Sequence, residues 1–324
     1  MTPVELSHPV YHDEEAAREH LEAIRWPNGP VCPFCGQVGP KVKVLGGSSM
    51  GAGWYHCGDC RKKFTVRVGT VYERSHIPLH KWLLGFRLYN ASKKGFSAHQ
   101  LHRTLNITYK SAWFMAHRIR EAMADYDGEP LGGKGKVVEA DELFIGKPQE
   151  IFVNGVGWQK VRGYATKQKV MTLVERGGRA RSFHVKDIDA ATVRKVLFEN
   201  IVLDSRLHTD EAQHYKRPGK EFAEHAAVNH SEKEYARGDV TSNTVEGFFS
   251  IFRRGMEGVY QHCGEQHLKR YLAEFDFRYS NRAKLGVDDA ERTTRAIRGA
   301  DGKRLTYRNP RGKRRQGSAL KERA

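Results

Sequence analysis

Val137-Val-Glu-Ala-Asp-Glu-Leu-Phe-Ile145 is the stretch on which the fold turns. It is β-prone, stops at Gly146 and carries an acidic residue, Asp141, in its middle. Downstream, Val170–Val174 is continuously apolar, as a strand buried on both faces is. Gly177–Gly178 turns that run into a return strand, Ala180–Val185. Asp189 caps a helix whose apolar face is Val193, Val196 and Leu197. Arg206–Asp210 reads as a fourth strand and Glu224–Asn229 as a fifth, and Thr241–Arg254 and Gln266–Tyr279 read as helices. The order β-β-β-α-β followed by helices predicts an α/β fold, a mixed sheet with flanking helices.

Three carboxylates fall on this frame. Asp141 lies within the first strand, Asp210 ends the fourth, and Glu246 stands in the first turn of the helix Asn243-Thr-Val-Glu-Gly-Phe-Phe. Between Asp210 and Glu246 lie 35 residues. Two strand-borne carboxylates joined by one from a later helix suit two-metal phosphoryl transfer, in which paired divalent ions about 4 Å apart serve the attacking and leaving oxygens. Without ions such a cluster repels itself and takes up protons. On the helix, Val245, Phe248, Phe249 and Phe252 form one apolar stripe, and Arg253 follows Glu246 by seven residues. At 3.6 residues per turn that brings Arg253 within roughly 20° of Glu246, where it can steer a DNA backbone with Arg254 beside it. Spacing alone leaves a second reading open, because Asn243-Thr-Val-Glu246 is also a capping box.

Upstream, Cys32-Pro-Phe-Cys35 and Cys57-Gly-Asp-Cys60 are two CxxC knuckles with 21 residues between them. Two such tight turns complete a tetrahedral thiolate shell, so a structural zinc ribbon is expected, with Cys263 as an ordinary thiol. From Leu79 the pattern turns helical through Trp82, Leu83 and Phe86. Ser97 with Gln100 fits a capping box, Asn106-Ile107 a short turn, and Thr108 the cap of a longer basic helix. This arrangement matches a DNA-reading helix-turn-helix. Tyr109, Lys110 and Trp113 are expected at the exposed start of the reading helix, with Arg118 and Arg120 nearer phosphates. A plain helical bundle with a solvated charged face is the alternative.

Composition agrees with a polyanionic partner. The 324 residues include 55 Lys and Arg against 38 Asp and Glu, a net charge of +17. The first 26 residues carry six acidic and two basic side chains; Thr293–Ala324 carries eleven basic and two acidic, and reads as a solvated tail. No apolar run is long enough to span a membrane or serve as a secretory signal. Close Cys pairs in a chain of this kind point to a reducing cytoplasm.

Taken in order, these motifs resemble bacterial insertion-sequence transposases with an N-terminal zinc ribbon and a DDE catalytic core. The matching residues are CPFC and CGDC, Phe64–Thr70, Phe96–Arg120, Val138–Gly146, Thr209–Glu211, Thr241–Phe249, Arg253–Gly255, His267–Leu272 and Glu274–Tyr279. The resemblance implies an RNase H-like catalytic domain at 136–285, preceded by an acidic helix (1–27), the zinc ribbon (28–75), an all-α helix-turn-helix (76–127) and a linker (128–135). A basic tail (286–324) follows. It also implies two Mg²⁺ or Mn²⁺ ions, double-stranded DNA as transposon ends and as target, and a homo-oligomer that synapses two ends. Asp141 and Asp210 match the first two carboxylates. Some relatives place Asn where Asn243 stands, yet Glu246 is favoured as the third because Asp-x35-Glu with Arg253 seven later is the commoner pattern. His208 and His230 are candidates for proton transfer or for packing. A DNA-binding regulator that no longer cuts, and a nuclease that cuts without joining, are the competing functions.

Overall fold

A computed structural model describes residues 5–46, 50–126, 128–146, 150–160, 164, 166–228 and 236–306. Helix α1 (Glu14–Arg25) starts where Asp13 accepts a hydrogen bond from the Ala16 amide at 2.7 Å, and it buries Ala17, Leu21 and Ile24. Strands β1 (Val42–Leu45), β2 (Trp54–Cys57) and β3 (Lys63–Phe64) form a small antiparallel sheet. Trp26 ties this sheet to α1, meeting Tyr55 and Phe64 edge-on at 5.3 and 5.9 Å. Helix α2 (Leu79–Ala91) buries Trp82, Leu83 and Phe86, the stripe read from its spacing. The capping box of Ser97 and Gln100 opens α3 (Ala98–Leu105), Asn106 turns the chain with a left-handed φ of 47°, and Thr108 caps α4 (Tyr109–Met123).

The second half is built on one five-stranded sheet. Its elements are β4 (Val137–Ile145), the hairpin β5 (Glu150–Val153) and β6 (Gly157–Lys160), β7 (Gln168–Glu175), β8 (Ala180–Val185), α5 (Ala190–Asn200), β9 (Arg206–Asp210), α6 (Gln213–Gly219) and β10 (Glu224–Val228). The short pair β11 (Ala236–Arg237) and β12 (Val240–Thr241) then leads into α7 (Asn243–Gly255), α8 (Glu265–Ser280) and α9 (Asp289–Arg298). The sheet order is β10-β9-β4-β7-β8, with β4, β9 and β10 parallel and β7 and β8 antiparallel to their neighbours. Gly177 makes the β7–β8 turn with φ of 67°.

The apolar run in β7 is buried on both faces. Val170 and Val174 pack with Val245, Phe248, Phe249 and Phe252 of α7 and with α8, while Met171 and Leu173 pack with Val193 and Leu197 of α5. Helices thus cover the sheet on both sides, a mixed α/β layer arrangement.

Two expectations change. The sequence places the basic tail from residue 286, yet Asp288 caps α9, and Ala296, Ile297 and Ala300 join the core formed by α1, the ribbon and α2–α4. Thr293, expected to begin a solvated tail, is 5% exposed because Ala296 and Ile297 follow it at helical spacing and seat that face against α2 and α4. Only residues from 307 onward lie outside the described set at that end. The linker is anchored too: Leu131 is buried and bridges in parallel to Ile201, and the Gly132 amide donates to Glu175 at 3.0 Å. Among the described residues no helix is long and apolar enough to cross a membrane.

Candidate active site and zinc centre

Strand register builds the acidic site. In the parallel pair β4–β9, Val137 lies beside Arg206, Val138 beside Leu207 and Glu139 beside His208. Beyond this paired stretch, Asp141 and Asp210 follow two residues later on the same adjacent strands. Their carboxylates, with that of Glu142, offer ligand atoms that all lie within 4.8 Å of one another. Asp141 accepts from the Glu142 amide at 2.7 Å; Asp210 accepts from the Ala212 amide at 3.0 Å, which fixes it at the entry to α6. Burial, then the Glu142 charge, with Asp210 and Glu246 adding to it, pushes the Asp141 carboxyl up to about 8. A cluster that holds a proton at neutral pH for want of counter-charge is the chemistry of a divalent-cation site, and the donor set fits hard cations that prefer oxygen.

Glu142 is a member that sequence reading missed. Its Oε1 accepts from His214 Nε2 at 2.8 Å and from the Tyr215 hydroxyl, both on α6. The Glu142 hydrogen bond raises the His214 pKa. The only hint in the sequence is the repeated Asp-Glu dipeptide at 141–142 and 210–211.

Glu246 lies in the first turn of α7, exposed, with Oε1 accepting from the Ser242 hydroxyl at 2.8 Å. It stands outside the 4.8 Å group, but its charge reaches Asp141. Asn243 begins the helix and is exposed. The capping-box alternative does not form: the N-cap is Ser242, and the Thr244 and Val245 amides donate to Glu139 of β4 at 2.8 and 3.0 Å. Arg253 and Arg254 are exposed in the last turn of α7, where Arg254 bonds Ser250 at 2.6 Å. His208 is fully buried, accepting from Arg176 at 3.3 Å, which favours packing; His230 lies outside the described residues.

The four cysteines converge as well. Cys32 and Cys60 sulfurs are 3.6 Å apart, as are those of Cys35 and Cys57, and all four lie within 4.8 Å of one another. Zinc–sulfur bonds of about 2.3 Å in a tetrahedron require sulfur–sulfur edges of about 3.8 Å. The residues therefore fit a structural zinc. Amides of Cys60 and Asp59 hold the Cys57 thiol down at about 7, ready to ligate as thiolate. Cys263 is half-buried and separate.

At α4 the expected DNA contacts divide. Tyr109 is exposed and stacks on His99 at 4.3 Å, Lys110 is exposed, and Trp113 is half-buried against His117 and His267. Arg118 and Arg120 do not face solvent. Arg118 donates to the carbonyls of Val71 (2.8 Å) and Leu305 (3.1 Å). Arg120 pairs with Glu274 of α8 at 2.6 Å and lies 4.0 Å above the Tyr271 ring. Both are buried because α8 and α9 pack along the C-terminal half of α4. They are corrected from DNA contacts to structural residues.

Residues 130–280 match the model of the ISXO2-like transposase domain, and residues 12–63 that of a transposase zinc-ribbon domain. Over these two regions the chain is similar to ISXO2-like transposases. The chain is 29% identical over 281 residues to an "uncharacterized protein in transposable element ISH50" of Halobacterium salinarum, a match that spans 83% of this chain and 92% of that protein. Among solved structures it is similar to the mariner Mos1 paired end complex with Mg (14% identity, 68% of this chain and 80% of that one, TM-score 0.24). It is also similar to the Mos1 strand transfer complex (12% identity, 63% and 78%, TM-score 0.21). The two matched domains, the carboxylates of Asp141, Glu142 and Asp210 and the four clustered cysteines support a DNA transposase with structural zinc and a divalent-metal site.

Proposed function

We propose that Asp141 and Asp210, with Glu246 brought over them by α7, hold two Mg²⁺ or Mn²⁺ ions against the scissile phosphate at each element end. The observation that carries this reading is the meeting of the Asp141 and Asp210 carboxylates from neighbouring parallel strands, with ligand atoms within 4.8 Å. When bound, the ions would neutralise phosphate charge and favour in-line displacement. Glu142, held by His214 and Tyr215, adds a fourth carboxylate at the rim of the pair. Water attacks phosphorus and the P–O3′ bond breaks, leaving a 3′-hydroxyl that attacks target DNA and displaces a second 3′-oxygen. Asn243, exposed at the start of α7, lies close enough in sequence to share in metal or phosphate contact.

Arg253 and Arg254 are suited to the DNA backbone beside the carboxylates, and Tyr109, Lys110 and Trp113 to the inverted repeat. The zinc ribbon and helix-turn-helix supply end recognition, and synapsis of two ends calls for a homo-oligomer acting in the cytoplasm. The test incubates labelled element ends and a target duplex with Mg²⁺, comparing wild type with Asp210→Asn. Nicked ends joined to target, lost in the variant, support the reading. Nicks without joining indicate a nuclease, absence of products a regulator, and cutting retained in the variant removes Asp210 from the site.

A further inference from the structure

We propose that Glu139 and Arg176 form a buried clamp that positions α7, and through it Glu246, over the Asp141–Asp210 pair. This rests on the reading of Glu246 as the third carboxylate. Glu139 precedes Asp141 by two residues in β4, so strand alternation puts both on one face. Its side chain is fully buried, a costly position for a charge without partners. Its hydrogen bonds lead to α7 and to Arg176. Oε2 accepts from the Thr244 amide (2.8 Å) and the Val245 amide (3.0 Å). Oε1 accepts from the Thr244 hydroxyl (2.8 Å) and from Arg176 Nε (2.6 Å).

Arg176, at the β7–β8 turn, completes the clamp. Its other nitrogens donate to the carbonyl of Asp239 (2.7 Å) and to the carbonyl and hydroxyl of Thr241 (3.1 and 2.9 Å). One guanidinium therefore grips both the Glu139 carboxylate and the chain entering α7. Ser242, at the N-cap, makes no side-chain cap bond, so a carboxylate from the neighbouring strand takes the amides that a local cap would normally satisfy. That substitution has a geometric consequence. The apolar stripe Val245, Phe248, Phe249 and Phe252 attracts α7 to the sheet without direction, whereas the hydrogen bonds to Glu139 fix its height and rotation. The fixed point lies one to two residues from Glu246 in sequence and two from Asp141. Glu139 and Arg176 are thus positioning residues that set the distance between the helix-borne and strand-borne carboxylates.

The test compares full-length Glu139→Gln, the milder Thr244→Val, and Glu246→Gln with wild type. In metal-free protein, amide exchange at Thr244 and Val245 is expected to quicken about tenfold in E139Q and less in T244V. With element ends bound as in wild type, the Mn²⁺ concentration for half-maximal nicking is expected to rise about tenfold in E139Q and to rise measurably in T244V. If E139Q does not fold, T244V alone decides. Unchanged exchange and unchanged Mn²⁺ requirement in the folded variants, alongside an inactive E246Q, would overturn the clamp while leaving the third carboxylate in place. An E246Q enzyme that nicks like wild type would overturn both.

Discussion

Arg120 of α4 and Glu274 of α8 form an ion pair at 2.6 Å with both side chains withdrawn from water. Arg278 and the Tyr260 hydroxyl occupy the other oxygen of the same carboxylate, and Tyr260 in turn accepts from the Phe96 amide at 3.3 Å, just ahead of α3. The helical unit α2–α4 and the layer that carries the carboxylates are therefore joined through one buried polar network. Removing one member of a buried pair strands its partner, so Arg120→Ala is expected to cost about 3 kcal/mol of stability by denaturant unfolding. A loss below about 0.5 kcal/mol would place the pair among ordinary surface contacts.

The raised pKa of Asp141 gives the metal site a pH signature. Its folded value, about 8, lies above that of an unfolded carboxylate, so below pH 8 the metal-free site keeps a proton that cations must displace. Linkage has a definite sign here. The folded state binds more protons than the unfolded one between the two pKa values, so this group lowers stability as pH rises toward 8. Mg²⁺ is then expected to raise the melting temperature more at pH 9 than at pH 6, and half-saturating Mg²⁺ for nicking to fall as pH rises. Equal shifts at both pH values would show that Asp141 does not meet the cation.

Zinc removal is expected to dismantle more than the ribbon. Cys32 and Cys57 belong to the same buried cluster as Trp82, Phe86 and Ile119. Cys57→Ser is therefore expected to lose zinc by elemental analysis and, with it, cooperative unfolding of the N-terminal half. A zinc-free chain with an unchanged unfolding transition would contradict that coupling.

How far a role is legible in the sequence depends on how distant the partners are that define it. The two-sided burial of Val170–Val174 and the Ser97 cap are legible because periodicity and local hydrogen bonding determine them. Asp141 and Asp210 stand out because each ends or interrupts a β-run, although only the folded sheet shows that their carboxylates meet. Arg120 misleads: a cation on a basic helix looks solvated until Glu274, 154 residues away, supplies its counter-charge. Glu139 is silent for the same reason, since its partners are amides 105 and 106 residues downstream. The cap of α9 at Asp288 is local, but the excess of basic residues beyond it dominates the reading.

The basic segment after Thr306 is expected to add sequence-independent phosphate contacts. Deleting residues 307–324 should flatten the dependence of end binding on salt by up to about 0.9 log unit for each phosphate the segment neutralises. An identical slope would assign that charge another use.

Mn²⁺ titration of the full chain, followed by electron paramagnetic resonance, decides whether Asp141 and Asp210 jointly hold divalent ions. Two ions are expected to bind specifically in the presence of element-end DNA, with binding abolished or weakened about a hundredfold in Asp141→Asn and Asp210→Asn. Undiminished Mn²⁺ binding in both folded variants would contradict it.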